Sequence, residues 1–243
     1  MTSRLRLVPS LGVLASTFAL AAVAASGCSI ETGTDDDAHG GEGGADGAAS
    51  GGSTSGGGLG GAGELPPGTT ACDQPAACGL VECQAEELYP QHVGVCSELS
   101  PHTNPPTNGP HYEPPYWAQF GIYDEPIGDG FLLHGLEHSA VALLYNCDLV
   151  ESAGGSCEDL VDQLIAFYDD YPEDPLCTTV PHRLYVIPDP DLDVPFAATA
   201  WQGHLKGQCF DADRVREFVD SHYGQNYENF CSPGIDPLAQ GCE

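Results

Sequence analysis

The sequence predicts an α+β domain: a small, mostly antiparallel sheet with two helices, disulfide-rich, behind a long N-terminal loop region. Three observations predict it. After residue 130, short apolar runs and amphipathic stretches follow one another as strand, strand, helix, strand, strand, helix, a pattern that suits an α+β layer packing. Ten cysteines lie downstream of Cys28, an even number that argues for a disulfide framework in an exported chain. Residues 29–126 are dominated by Gly, Pro, Ser, Asn and acidic side chains, which favour loops over regular elements.

The N-terminus reads as a targeting segment. Arg4 and Arg6 precede an apolar run over residues 7–25, which ends in the small residues Ala25, Ser26 and Gly27 before Cys28. This is the layout of a secretory leader, residues 1–27. Small residues directly before a cysteine also resemble a bacterial lipobox, which makes Cys28 the lipid-modified first residue of the mature chain. With Ser29 next, the expected destination is the cell envelope of a bacterium, at its outer membrane or surface, with the membrane as a partner through Cys28.

Residues 28–70 carry the acidic run Asp35–Asp36–Asp37 and then Gly, Ser and Ala with scattered acids. Too few apolar residues are present to offset chain entropy, so a flexible tether is expected. Residues 71–96 are dense in cysteine and read as a disulfide-pinned extension with one helical turn around 84–88. The α+β domain follows over 97–243. Its first part, to about residue 126, is a Pro- and aromatic-rich loop region, long enough to suggest a function of its own.

The regular elements come next. Residues 131–134 and 140–145 read as strands. Ser156 caps a helix over 157–170, with Leu160, Val161, Leu164, Ile165 and Tyr168 on one stripe. Residues 183–187 form a strand stopped by Pro188, and 196–201 another. Asp211 caps a second helix to 222, with Val215, Phe218 and Val219 inward. The tail is a loop pinned by Cys231 and Cys242. No C-x-x-C spacing occurs among the cysteines, which favours disulfides over thiolate metal ligation.

Charge excludes one class of partner. The chain has 36 Asp and Glu against 6 Lys and Arg. Beyond Cys28 the balance is four against 36, or −32. Such a surface repels phosphate backbones, so no nucleic-acid binding is expected. No protein partner is indicated.

The chemistry concentrates at His134, Glu137 and His138, set in the apolar stretch 131–145. Two imidazoles and a carboxylate are costly to bury without partners. On a helix, H-x-x-E-H would be the inverted zinc-protease arrangement, but Gly135 and the Val-Ala-Leu-Leu-Tyr that follows favour a strand-turn-strand unit. On a straight strand, positions four apart lie roughly 13 Å from one another, so a shared metal requires a tight turn. Upstream, Pro105 and Pro106 stiffen the chain, Gly109 admits an unusual φ, and His111 follows Pro110. A rigid loop presenting one imidazole suits a metal site, so His111, His134 and His138 are candidate ligands. Glu137 is a ligand, a partner orienting an imidazole, or a base acting on bound water. His102 reads as loop-satisfied, and His182, His204 and His222 as surface residues.

PPTNGPH (105–111), WAQFGIY (117–123), HGLEH (134–138) and AWQ (200–202) together resemble a bacterial exported or membrane-anchored family of unknown function. That family is marked by a PPTSGPH-type loop and an HSLEHG-type turn, and the similarity spans about residues 92–222. Asn108 stands where serine is common, and Ser139 where glycine commonly follows the second histidine. The resemblance implies a histidine ahead of the Pro-Pro loop, matched by His92 as a fourth ligand, and a shared site without an agreed activity.

Imidazole ligation beside oxidised cysteines suits copper or zinc over calcium or magnesium. Three functions stay open: an envelope protein that binds and handles the metal, a metal-dependent enzyme of hydrolytic or copper-oxidative type, and a non-catalytic surface module in which the histidines and Glu137 form a structural hydrogen-bond network.

Overall fold

A computed structural model describes residues 65–226 and 228–242. The leader, Cys28 and residues 29–64 of the tether lie outside the described residues.

Nine strands and four α-helices follow in chain order. Strands β1 (Thr69–Cys72) and β2 (Val81–Ala85) precede two short strands, β3 (His92–Val93) and β4 (His111–Tyr112), and then β5 (Gly121–Ile122). Helix α1 (Asp129–Glu137), β6 (Val141–Tyr145), α2 (Cys147–Ser152) and α3 (Cys157–Asp170) come next. Strands β7 (Leu184–Pro188), β8 (Phe196–Ala200) and β9 (Gly203–Gly207) lead to α4 (Ala212–His222).

The fold is α+β and disulfide-rich, as expected, but the sheet is not small. It has seven strands in the order β1-β2-β9-β8-β6-β7-β5. Its first four pairings are antiparallel and the last two parallel. The Cys-rich segment supplies β1 and β2 to this sheet where a helical turn around 84–88 was expected. Strand β9 and helix α2 carry too short a pattern to stand out in the sequence.

Central strands β6 and β8 are buried along their whole length, so alternate side chains enter two separate cores. Val141, Leu143, Leu184, Val186, Phe196 and Ala198 face α3 and α4, meeting Leu160, Leu164, Val215 and Phe218. Ala142, Leu144, Tyr185, Ile187 and Ala197 face the other way, toward Phe131, Leu132, Leu133 and Leu136 of α1. Helices α3 and α4 begin where the capping residues require. The Ser156 hydroxyl accepts from Asp159 N–H and the Asp211 carboxylate from Arg214 N–H.

Residues 131–134, expected as a strand, belong instead to α1. Every residue from Gly130 to Glu137 is buried, and a helix buried on all sides has no polar face to reveal its period. Gly135, which argued against a helix, is together with Gly130 what lets it pack. A Cβ at Gly130 would meet the Tyr112 ring at 2.6 Å, and one at Gly135 the Tyr185 hydroxyl at 2.1 Å.

Helix α1 ends in a Schellman turn: Ser139 N–H bonds to Leu136 O and Ala140 N–H to Gly135 O, around a left-handed residue. That residue is Ser139, at φ 67°. Its hydroxyl accepts from Asn226 N–H at 3.1 Å and lies 3.2 Å from the Glu228 carbonyl, so the side chain ties the helix end to the C-terminal loop.

All ten cysteines downstream of Cys28 are paired: Cys72–Cys83, Cys78–Cys209, Cys96–Cys242, Cys147–Cys157 and Cys177–Cys231. Five disulfides are typical of a protein that works outside the cytoplasm. Among the described residues, no helix is long and apolar enough to cross a membrane.

Candidate metal centre

Three segments far apart in sequence meet beside the C-terminal turn of α1. The first two do so through β3 and β4, a two-stranded parallel ladder in which His92 pairs with His111 and Val93 with Tyr112. Directly paired residues of a parallel ladder point to the same face, and the two rings stand 4.9 Å apart, edge to face.

The loop before His111 is held from several sides. Thr199 donates its hydroxyl to Pro106 O, Lys206 its ammonium to Asn104 O at 2.9 Å, and Asn108 its amide to Glu86 O at 3.0 Å. Gly109 takes φ 110°, the left-handed region that glycine enters without penalty. Its carbonyl then turns back to His111 Nδ1 at 2.9 Å.

Helix α1 brings the third set. His134 and Glu137 are three residues apart and share a face. One nitrogen from each of His92, His111 and His134 and one Glu137 carboxylate oxygen all lie within 4.8 Å of one another. His111 Nε2 is 2.9 Å from Glu137 Oε2, and His92 Nε2 is 3.7 Å from the same oxygen. His111, His134 and Glu137 are buried, while the His92 side chain is 44% exposed and opens the group to solvent. Such a buried His/Glu cluster could hold a metal ion.

His138 sits one step along. It caps α1 at its C-terminus, with its ring 4.8 Å from that of His134. Its close polar neighbours are Glu137 and Glu228, and these three form a second group with ligand atoms mutually within 4.8 Å. His138 Nε2 is 3.5 Å from Glu228 Oε2. Of the four predicted histidines, the structure thus gathers His92, His111 and His134 around Glu137 and sets His138 in the adjoining group. The helical geometry of residues 134–138 also removes the strand spacing that had seemed to separate the pair. Glu228 was not foreseen: it lies in an irregular tail with no motif around it, and only the nearby Cys231 hinted that this tail is tied down.

An aromatic shell surrounds both groups. Trp201 meets His111 edge-on at 5.9 Å, Trp117 lies 5.1 Å from His134 and 4.8 Å from His138, and Phe230 lies 4.1 Å from His138. Tyr112, the neighbour of His111, turns instead into the core against Phe131. Burial in this shell favours the neutral form of His134 and His138. It pushes the His134 pKa down to about 4, with His111 adding to the effect and Glu137 opposing it. Burial likewise takes His138 to about 3, reinforced by His134. Glu228 moves the other way, raised by burial and then by the Glu137 charge. Neutral imidazoles are the form that binds metals.

The remaining histidines are placed apart. His102 Nε2 donates to Glu86 O at 3.2 Å, a loop contact as expected. His182 and His204, read as surface residues, are each only 1% exposed. His182 bonds to Tyr168 O, and His204 lies on β9, paired with Cys83 of β2 and Thr199 of β8. His222 is half-buried against Glu82 at 3.2 Å.

A family model described as "Protein of unknown function (DUF3105)" matches residues 92–234. The match runs from His92 past Glu228 and so includes every residue of both groups. No curated protein and no solved structure matches the chain.

Proposed function

The chain belongs to the DUF3105 family of proteins of unknown function, and from that premise we propose that it binds and handles a copper or zinc ion in the cell envelope. His92, His111 and His134 would hold the ion with Glu137, and a lipid on Cys28 would keep the domain at the outer membrane or surface of a bacterium.

One observation carries the metal reading. A carbonyl can only accept a hydrogen bond, so the Gly109 contact requires a proton on His111 Nδ1. Nε2 is then the nitrogen left for a metal, and it lies 2.9 Å from a Glu137 carboxylate oxygen. A metal bound by both atoms would join the imidazole and the carboxylate, with His92 and His134 close enough to complete the set. The donor set of three imidazoles and one carboxylate suits zinc or copper. The carbonyl of Gly109 also orients the His111 ring, as outer hydrogen bonds do at metal sites.

A second reading, metal-dependent hydrolysis or copper oxidation, draws support from the half-exposed His92, which leaves a solvent-facing side to the group. A metal there would supply Lewis acidity. The test of the first reading is metal analysis of the purified protein, with the His111→Ala and His134→Ala variants beside it. Loss of bound zinc or copper in both folded variants is expected. Full stoichiometry in both would leave only the structural network of histidines and Glu137.

A further inference from the structure

We infer that Glu137 is a bridge between two cations, and that the second ion is held by Glu137, His138 and Glu228. This rests on the metal reading of the first group and extends it from one ion to two.

The two groups share Glu137 and no other residue. A carboxylate has two oxygens and about four lone-pair sites, enough to serve an ion on each side. Glu137 is fixed for that task by its place at the last helical position of α1, with His134 three residues before it and His138 directly after. Its backbone carbonyl is held as well, accepting from the Asn226 side-chain amide at 2.8 Å.

The second group has the marks of a built site. His138 is 2% exposed, enclosed by the rings of Trp117 and Phe230. Its Nδ1 is buried with no hydrogen-bond partner among the described residues, and its other nitrogen, Nε2, faces Glu228. Across from it stands Glu228, with Nε2 to Oε2 at 3.5 Å, longer than a good hydrogen bond. Two carboxylates thus converge on one buried imidazole, with ligand atoms of all three residues mutually within 4.8 Å. The nearest permanent cation does not answer this. Arg183 spends its guanidinium on Asp174 at 2.8 Å, on the His138 backbone carbonyl at 2.9 Å and on the Asn229 side chain at 2.7 Å. A divalent cation at Glu137, His138 and Glu228 would neutralise the pair.

Glu228 is positioned to serve. Its carbonyl is near the Ser139 hydroxyl at the end of α1, and Cys231, three residues on, is bonded to Cys177. Its side chain is 37% exposed, so an ion can enter from solvent. The donor sets also differ: three imidazoles and a shared carboxylate on one side, one imidazole and two carboxylates on the other. The second is the harder set and should hold zinc more weakly.

The test counts ions. The full chain is stripped with a chelator, dialysed against excess zinc and analysed for metal per chain. Wild type should hold two ions, and Glu228→Gln one, with unchanged circular dichroism. His138→Asn should match Glu228→Gln, guarding against a local effect of either change. A wild-type count of one that is abolished by His111→Ala and unaffected by Glu228→Gln would overturn the bridge while leaving the first site standing. A count of two that survives in both Glu228→Gln and His138→Asn would overturn it too. A count of zero in wild type would remove both readings.

Discussion

His92 and His111 sit opposite each other in a parallel ladder only two residue pairs long, and both present Nε2 to the same oxygen of Glu137. The pairing sets the spacing of the two imidazoles, and α1 sets where the carboxylate meets them. The two histidines differ in one respect that can be tested: His111 is fully buried and His92 is not.

His111→Ala should therefore remove the ion held by His92, His111 and His134 and also lower stability, since it opens a hole beside Trp201. Truncating a buried side chain of this size costs about 2–4 kcal/mol. His92→Ala should weaken zinc or copper binding by about tenfold or more while changing stability by less than about 0.5 kcal/mol. Competition with a metal indicator, together with urea unfolding of the metal-free proteins, separates the two effects.

Gly135→Ala should destabilise the fold although alanine is the better helix former. The propensity gain is about 1 kcal/mol. Against it, the new Cβ would lie 2.1 Å from the Tyr185 hydroxyl, which donates to Ala118 O at 2.8 Å. Overpacking costs about 1–3 kcal/mol, and disturbing a buried hydrogen bond about as much again. The net expectation is a loss of about 2 kcal/mol in urea unfolding. Adding Tyr185→Phe should recover part of it, because the nearest clashing atom is gone.

At Ser139 a left-handed backbone and a useful hydroxyl oppose each other. Ser139→Gly removes about 1–2 kcal/mol of backbone strain. It also loses hydrogen bonds worth about 1 kcal/mol and makes the unfolded chain more flexible. The expected result is a stability within about 1 kcal/mol of wild type. Ser139→Val keeps the strain, worsens it by branching at Cβ and loses the hydroxyl, so a loss of about 3 kcal/mol is expected. Paired denaturation curves check both.

Replacing Cys177 and Cys231 together by serine should cost about 4 kcal/mol, the chain-entropy value for a loop of this size, since the cysteines are 54 residues apart. The change should also free the segment bearing Glu228 and Phe230. Faster amide hydrogen exchange in residues 226–232 than in α3 would show it.

Acid should destabilise the protein in a window that His204 helps to define. Burial, with Lys206 adding to it, pushes its pKa down from 6.5 to about 4. The unfolded chain therefore binds a proton that the folded one refuses between those values. This contribution is complete above pH 6.5, shrinks as pH falls, and stops changing below about 4. Its size is at most roughly 3 kcal/mol. In stability measured from pH 8 to pH 4, His204→Gln should show a shallower acid slope than wild type.

Much of the domain was legible beforehand. Helices α3 and α4 announced themselves through Ser156, Asp211 and their apolar stripes, because each has one face in the core and one in water. Strands β6, β7 and β8 were visible as apolar runs bounded by turn residues. His134, Glu137 and His138 stood out because imidazoles and carboxylates are rare in apolar surroundings, and His111 because a rigid loop with Pro105, Pro106 and Gly109 presents it. The resemblance to a family of unknown function, which added His92, agrees with the family found.

Helix α1 was misread for the opposite reason. With every side buried it lacks a polar stripe, and Gly135 reads as a breaker unless Tyr185 is known to lie against it.

By itself the sequence determined the α+β class, the disulfide framework and the stretches that carry the imidazoles, since composition and local periodicity express those directly. Tertiary structure alone decided which cysteines pair, that His92 lies beside His111, that His138 turns toward Glu228, and that Glu137 stands between the two groups. Those relations join residues up to 146 positions apart. They depend on how helix α1, the short ladder and the C-terminal loop pack together, and no local preference of the chain encodes that packing.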